Sequence, residues 1–376
     1  MKRDDLLREI EKFKSDLSGA ERLEKYLQGE PVDRQPLYLH YPDYALANVL
    51  GFSTRDFEED FEVFESVMVY NAREYFSPWA NVRLSLRTLG QAAGSDLVFP
   101  KNGIDYVSSY FLEDYDRLKN LKDLDSYKDK VLSRILSRAY KLKERNPDLN
   151  VTTGVAGPLT TAVSLRPYGK LMEDLKTNSE NLKSLLTWSV ENSLKWIEVF
   201  TRELGPGLVS ISDPMSSLDV LDLKDFKKFS YPYLKTLVDE TKKISKEKAF
   251  VHICGNTQGL WPDLLNLDLG YFSLGNTEDL KAGAKILGEK FILVGNIDPI
   301  KVLRDGSQDE IIHAVKTCLD FGAEAKSGFI LAPGCQVHLE TREENLLAFK
   351  NAVLKYGTKA QRGLKPQGLD KEKSRL

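Results

Sequence analysis

Cysteine is scarce: the 376-residue chain holds three, Cys254, Cys318 and Cys335. An odd number spread so thinly does not make a disulfide framework, and reduced thiols are left for metal ligation or catalysis. A charge excess is also missing. Lys and Arg total 53 and Asp and Glu 56, a net of −3, which gives no electrostatic footprint for nucleic acid or an anionic membrane. No apolar run approaches the roughly 20 residues of a membrane span. The opening Met1-Lys2-Arg3-Asp4-Asp5 lacks the apolar segment of a signal peptide, so a cytoplasmic protein is expected. Glycine-rich phosphate loops, a Gly-x-Ser-x-Gly elbow and internal repeats are absent too, which weighs against the reactions and architectures they serve.

What the chain has is alternation. Leu6, Ile10, Phe13 and Leu17 recur at helical spacing, and Ser18-Gly19-Ala20-Glu21 has the form of a capping box opening a second helix. After the Pro-bounded turn Gly29 to Pro36 comes a first strand, Leu37 to Tyr41. Phe57, Phe61, Phe64 and Met68 form a helical stripe beside the acidic run Glu58-Glu59-Asp60, read as a solvated face. A second strand is expected at Asp96 to Pro100, a charged helical segment from about Asp116 to Arg145, and a third strand at Leu149 to Gly154. A long helix with Trp188 and Trp196 leads to a fourth strand in Gly207 to Pro214, and a helix from about Phe226 to Ser245 leads to a fifth, Lys248 to Cys254. Tyr271 to Asn276, Phe291 to Asn296 and Phe329 to Gly334 complete eight. Helical segments at Asp263 to Leu267, Asp279 to Leu287 and Asp309 to Phe321 separate them.

Eight strands alternating with helices predict an α/β fold, a (β/α)₈ TIM barrel with an N-terminal helical extension over 1–35. A doubly wound open sheet allows the same alternation. The barrel is favoured because Asp213, His252 with Cys254, Asn276, Asn296 and Cys335 all fall at or just past strand C-terminal ends, where barrel active sites are built. One domain is expected over 1–362, with a Lys-rich flexible tail over 363–376.

His252 and Cys254 lie two apart at a strand end and face one volume; Cys335, after the eighth strand, faces the same mouth. One imidazole and two thiolates suit zinc, and three protein ligands leave the exchangeable position of a catalytic site. Two thiolates also make such a zinc better at holding a substrate thiolate than at activating water. Core packing is the competing reading, since Cys is among the most buried residue types, and the residues alone leave both open. Cys318, on the stripe Ile311, Val315, Cys318, is read as packing, and His313 on that helix as exposed. His338, three residues beyond Cys335, is a rival ligand or a surface histidine. Asp213 in Asp-Pro is a turn residue or a carboxylate at the mouth. The basic Lys242-Lys243 with Lys246 and Lys248 is a solvated helix end or a docking patch.

At these residues the chain resembles the uroporphyrinogen decarboxylase superfamily, and within it the cobamide-dependent methyltransferases. Glu21-Arg22-Leu23 and Gly29 to Pro36 look like the opening signature. Ser212-Asp213-Pro214, His252 to Thr257, Gly295 to Pro299 and Pro333-Gly334-Cys335 look like the later blocks, in order. The resemblance implies zinc held by His252, Cys254 and Cys335. Decarboxylases of the superfamily carry an arginine-rich loop after the first strand, whereas Leu39-His40-Tyr41-Pro42-Asp43-Tyr44 holds no arginine. Its thiol-methylating members tend to carry an acidic pair after strand six, where this chain reads Ser273 to Glu278 with Asn276, leaving the fourth zinc ligand unassigned.

The expected function is methyl transfer between a corrinoid of the methylcobalamin type, carried on a partner protein, and a small thiol or methyl donor. Asp213 and Asn276 are assigned to catalysis, and His40, Gly154, Asn256 and Asn296 to substrate binding. The alternatives are the first methyltransferase of a corrinoid demethylation system, a decarboxylase-like lyase, and a non-catalytic zinc-binding subunit of a corrinoid system.

Overall fold

Ser18 opens the helix Gly19–Leu27 through the expected capping box. Its hydroxyl accepts from the Glu21 N–H at 3.2 Å, and the Glu21 carboxylate accepts from the Ser18 N–H at 2.8 Å. The next residue explains the rest of the opening block. Arg22 is buried and pairs with Asp33, Nε to Oδ1 at 2.7 Å, tying the helix to strand β1 (Val32–Arg34), and Arg34 lies over the Phe76 ring at 3.9 Å. β1 itself pairs antiparallel with β11 (Thr358–Ala360), Val32 opposite Ala360.

These positions come from a computed structural model, which describes residues 17–372, with side chains to residue 369. The expected stripe Leu6, Ile10 and Phe13 and the last four residues of the expected tail lie outside them. Within the described tail, Gln367–Glu372 forms a 3₁₀ turn and Lys365 pairs with Asp320. Contacts divide the chain into two compact units, Asn81–Tyr271 and Met1–Ala80 with Phe272–Leu376.

In the unit Asn81–Tyr271, strands β5 (Val151–Ala156), β6 (Val209–Ser212) and β7 (Phe250–His252) run parallel, with Ala156 opposite Ser212 and Ser212 opposite His252. Nearly every residue in them is buried, as parallel strands covered by helices require. Trp196, on the long helix Ser179–Leu204, donates its indole N–H to Thr153 Oγ1 at 3.0 Å, fixing that helix on β5. Helix Tyr231–Ser245 precedes β7.

The other unit holds the parallel pair β9 (Ile292–Ile297) and β10 (Phe329–Pro333), Phe329 opposite Leu293. The strand expected at Leu37 to Tyr41 is reduced to one parallel bridge, Leu37 to Leu331, supported by Tyr38 N–H to Leu331 O at 2.9 Å and Leu331 N–H to Pro36 O at 3.0 Å. Pro36 limits that ladder because it has no N–H to donate. With β2 (Ala80–Asn81) and β8 (Tyr271–Ser273), the seven-stranded sheet has the order β10-β9-β8-β7-β6-β5-β2. Leu37, first in sequence, stands beside β10, the last strand of the sheet. The order is therefore cyclic, without the switch point of a doubly wound sheet, and the fold is the (β/α)₈ barrel.

Two expectations are corrected. Asp96 to Pro100 is not a barrel strand: β3 (Asp96–Val98) pairs antiparallel with β4 (Tyr106–Ser109) in a separate hairpin, with Val98 and Tyr106 exposed. The barrel position belongs to Ala80–Asn81, a strand too short to show an alternating pattern, continued by Val82 N–H to Thr152 O at 2.8 Å. The segment Asp116 to Arg145 is a 3₁₀ turn, Tyr115–Asn120, and a separate helix, Lys130–Arg145. Asp125 accepts from the Tyr127 N–H at 3.0 Å and Asp129 from Val131 and Leu132, both at 2.9 Å, so side-chain acceptors interrupt the helix and restart it. Asp60 likewise splits the aromatic stripe into Thr54–Glu59 and Phe61–Glu74, with Phe57, Phe64 and Met68 buried. Among the described residues no helix is long and apolar enough to cross a membrane.

The strand spacing makes a test. A Cβ on Gly154 would lie 2.1 Å from Ser210 Oγ, which Asn81 holds from the other side at 3.0 Å. Gly154→Ala is expected to lower stability by about 1–3 kcal/mol through overpacking. Urea denaturation measures it, and an unchanged midpoint would contradict the β5–β6 packing.

Candidate metal centre

Strand β7 stops at His252, so Cys254 is carried by the loop that follows. Gly255 turns that loop at φ +88°, a conformation glycine adopts without strain. His252 is buried and Cys254 half-buried, and His252 Nε2 lies 2.8 Å from Cys254 Sγ. Cys335 follows β10 through Gly334, whose N–H donates to Ile297 O at 2.8 Å. A Cβ on Gly334 would lie 2.4 Å from Asn276 N, so only glycine fits before the cysteine. The ligand atoms of His252, Cys254 and Cys335 all lie within 4.8 Å of one another.

That donor set fits zinc. Bonds of roughly 2.0–2.3 Å directed tetrahedrally put one nitrogen and two sulfurs roughly 3.5–4 Å apart. The 2.8 Å His252–Cys254 separation would widen on binding, and the whole group, within 4.8 Å, already spans no more than such a centre can draw together by rotamer adjustment. Among the described residues no other His, Cys, Asp or Glu joins the group, so the set stops at three.

The remaining candidates have different surroundings. Asp213 is fully buried with both carboxylate oxygens engaged. Oδ1 accepts from Thr160 N–H at 3.0 Å and Oγ1–H at 2.6 Å, and Oδ2 accepts from Ser216 Oγ at 2.6 Å. Burial pushes its carboxyl above the usual carboxylate range, opposed by those hydrogen bonds. Its backbone N–H donates to His252 O at 2.9 Å, so it bears on the centre through the strand that carries the imidazole.

Asn276 is half-buried and donates to Asp298 Oδ2 at 3.0 Å, while Asp298 Oδ1 caps the turn Pro299–Arg304. Asn296, buried, donates to Gly275 O at 2.9 Å and Glu278 O at 3.0 Å and so fixes the loop after β8. His40 is buried between the Tyr38 and Tyr41 rings, and its carbonyl accepts from Val337 N–H at 2.9 Å, two residues beyond Cys335. Gly154 is a packing position inside β5, and Asn256 is exposed.

Cys318 is buried, and burial pushes its thiol up to about 11; His313 is exposed. His338 interacts with the Glu340 N–H at 3.2 Å and Arg304 at 3.4 Å, outside the metal group. Lys242 and Lys248 both pair with Asp268, holding its carboxyl down at about 2, and Lys243 pairs with Glu240 at 2.6 Å. A neutralised helix end describes that cluster better than a docking patch. Thr160, a partner of Asp213, carries no sequence signal that marks it, because the pairing crosses between elements; Ser216, the other partner, lies three residues from Asp213 in the same turn, and Asp298, the partner of Asn276, falls within the Gly295 to Pro299 block.

Residues 18–356 match the uroporphyrinogen decarboxylase (URO-D) family. The chain belongs to that family. It is 25% identical over 352 residues to the methylcobamide:CoM methyltransferase MtaA of Methanosarcina barkeri, covering 91% of this chain and 99% of the relative. To MtbA of Methanosarcina acetivorans, also a methylcobamide:CoM methyltransferase, it is 26% identical over 61% of this chain and 67% of the relative. It is 30% identical to the chloroplastic uroporphyrinogen decarboxylase 2 of rice, over 55% of this chain and 53% of the relative. A methyltransferase from Methanosarcina mazei shares the fold at TM-score 0.76 and 23% identity, covering 90% of this chain and 98% of that one. The expected likeness to an enzyme of the corrinoid-dependent methyltransferase branch is therefore met.

Thiol reactivity tests the placement of the three cysteines. Metal-free native protein treated with iodoacetamide at pH 8 is expected to take label at half-buried Cys254 and Cys335 and to leave Cys318 unmodified. Peptide mass mapping reads the result, and native labelling of Cys318 at a rate comparable to the other two would contradict it.

Proposed function

We propose that the protein transfers a methyl group between a corrinoid carried on a partner protein and a small substrate, most readily a thiol, at a zinc centre held by His252, Cys254 and Cys335. The convergence of those three ligand atoms carries the reading. Likeness to methylcobamide:CoM methyltransferases over 91% of the chain supports the methyl-transfer chemistry.

Bound there, zinc would supply a binding position for a substrate sulfur and lower its pKa so that the thiolate persists near neutral pH. The chain's own groups do the rest. Two cysteine thiolates donate enough charge to keep a third sulfur nucleophilic, and the imidazole completes a three-ligand set that leaves a position open. Burial of His252 limits competing water on that side. In the transfer the thiol would release its proton to solvent, its sulfur would form the new bond to the methyl carbon, and the corrinoid would keep the electron pair of the broken cobalt–carbon bond. A decarboxylase reading is weaker, because the segment Leu39 to Tyr44 offers no arginine for substrate carboxylates and His40 within it is buried among aromatic rings.

Metal analysis of purified protein is expected to find about one zinc per chain. With methylcobalamin and a panel of small thiols, activity should vanish on chelation and return with zinc. Cys254→Ser and Cys335→Ser should each cost at least about a hundredfold. Full activity in a chelated Cys254→Ser protein would sink the proposal. Turnover only with methyl donors and reduced corrinoid would assign the opposite direction of transfer.

A further inference from the structure

Cys254 lies beyond the last hydrogen-bonded residue of β7, so the sheet does not fix its thiol. The loop after β6 does that work. Asp219 Oδ2 accepts from the Asn256 N–H at 2.8 Å, and the Leu218 N–H donates to Asn256 O at 2.9 Å. Two hydrogen bonds on one residue clamp the chain two positions after the ligand cysteine. The clamp is tight at the residue between: a Cβ on Gly255 would lie 2.2 Å from Asp219 Oδ2 and 3.3 Å from Ser217 Oγ. Gly255 thus meets two requirements at once, a positive φ and the close approach of a carboxylate.

We infer that Asp219 is a positioning residue for the metal centre, holding the Cys254 loop in its ligating geometry through the Asn256 amide. This rests on the zinc reading of His252, Cys254 and Cys335, and it goes beyond it by naming a residue outside the ligand set. The physical basis is preorganisation. A ligand on a loop must otherwise be ordered when the metal binds, and groups that orient ligands from behind typically change metal affinity by about 10–100-fold. Asp219 is exposed, so its removal is not expected to unfold the chain.

The test compares Asp219→Ala and Asp219→Asn with the unmodified protein. Asparagine keeps a carbonyl oxygen able to accept from the Asn256 N–H; alanine does not. Zinc affinity, measured by competition with a chromophoric chelator, should fall about 10–100-fold in Asp219→Ala and recover most of that loss in Asp219→Asn. The thiolate-to-metal absorption of the cobalt(II)-substituted protein should weaken or shift in the alanine variant alone. Hydrogen–deuterium exchange on metal-free protein should show the amide of Asn256 opening about tenfold faster in Asp219→Ala, with the melting temperature little changed. Equal zinc affinity and equal exchange in all three proteins would overturn the inference. If the unmodified protein binds no zinc, the proposed centre fails, while the exchange data still decide whether Asp219 holds the loop.

Discussion

A single backbone hydrogen bond, from the N–H of Asp213 to the carbonyl of His252, joins the ends of β6 and β7 at the level where the metal ligands begin. It is as firm as the side chain behind it. Asp213 is fully buried, and a carboxylate in that setting persists only when its oxygens are satisfied. Thr160 on the helix after β5 and Ser216 on the turn after β6 satisfy them, and Ser216 passes the chain of hydrogen bonds on to Ser230 at 2.5 Å. The connections after β5 and β6 and the end of β7 are thereby coupled, and the imidazole is presented from a backbone that has little freedom to move. Gly157 makes room for this: any larger residue there would place its Cβ 2.2 Å from Asp213 Cβ.

The barrel and the meeting of His252, Cys254 and Cys335 were legible in the sequence for one reason. The parallel strands of a barrel, buried between its packed interior and an outer ring of helices, are continuous apolar runs, and a polar residue at the end of such a run has few explanations other than a site. His252, Cys254 and Cys335 each stand at such an end. The same rule misled at Asp96 to Val98, where an apolar run serves a surface hairpin, and it could not see Ala80–Asn81, which is too short for any pattern. The role of Asp213 was legible only in part. Its place after a strand singled it out, but whether a buried carboxylate faces a substrate or two hydroxyls depends on Thr160, 53 positions earlier in the chain, and no local signal reports that pairing.

The two cysteines of the candidate centre are presented by different means, and the difference bears on what the proposed centre would be able to do. Cys335 follows β10 directly, through a glycine packed against the backbone of Asn276 and hydrogen-bonded to the end of β9. Cys254 stands on a loop turned by Gly255 and clamped through Asn256. A centre that accepts and releases a sulfur ligand at every turnover must change its coordination without losing the metal. In the proposed centre, a thiolate on the segment after β10 and one on a loop with its own clamp would divide those demands between them. His252, buried and with its backbone carbonyl accepting from the Asp213 N–H, would then be the fixed member of the proposed centre against which the loop cysteine adjusts.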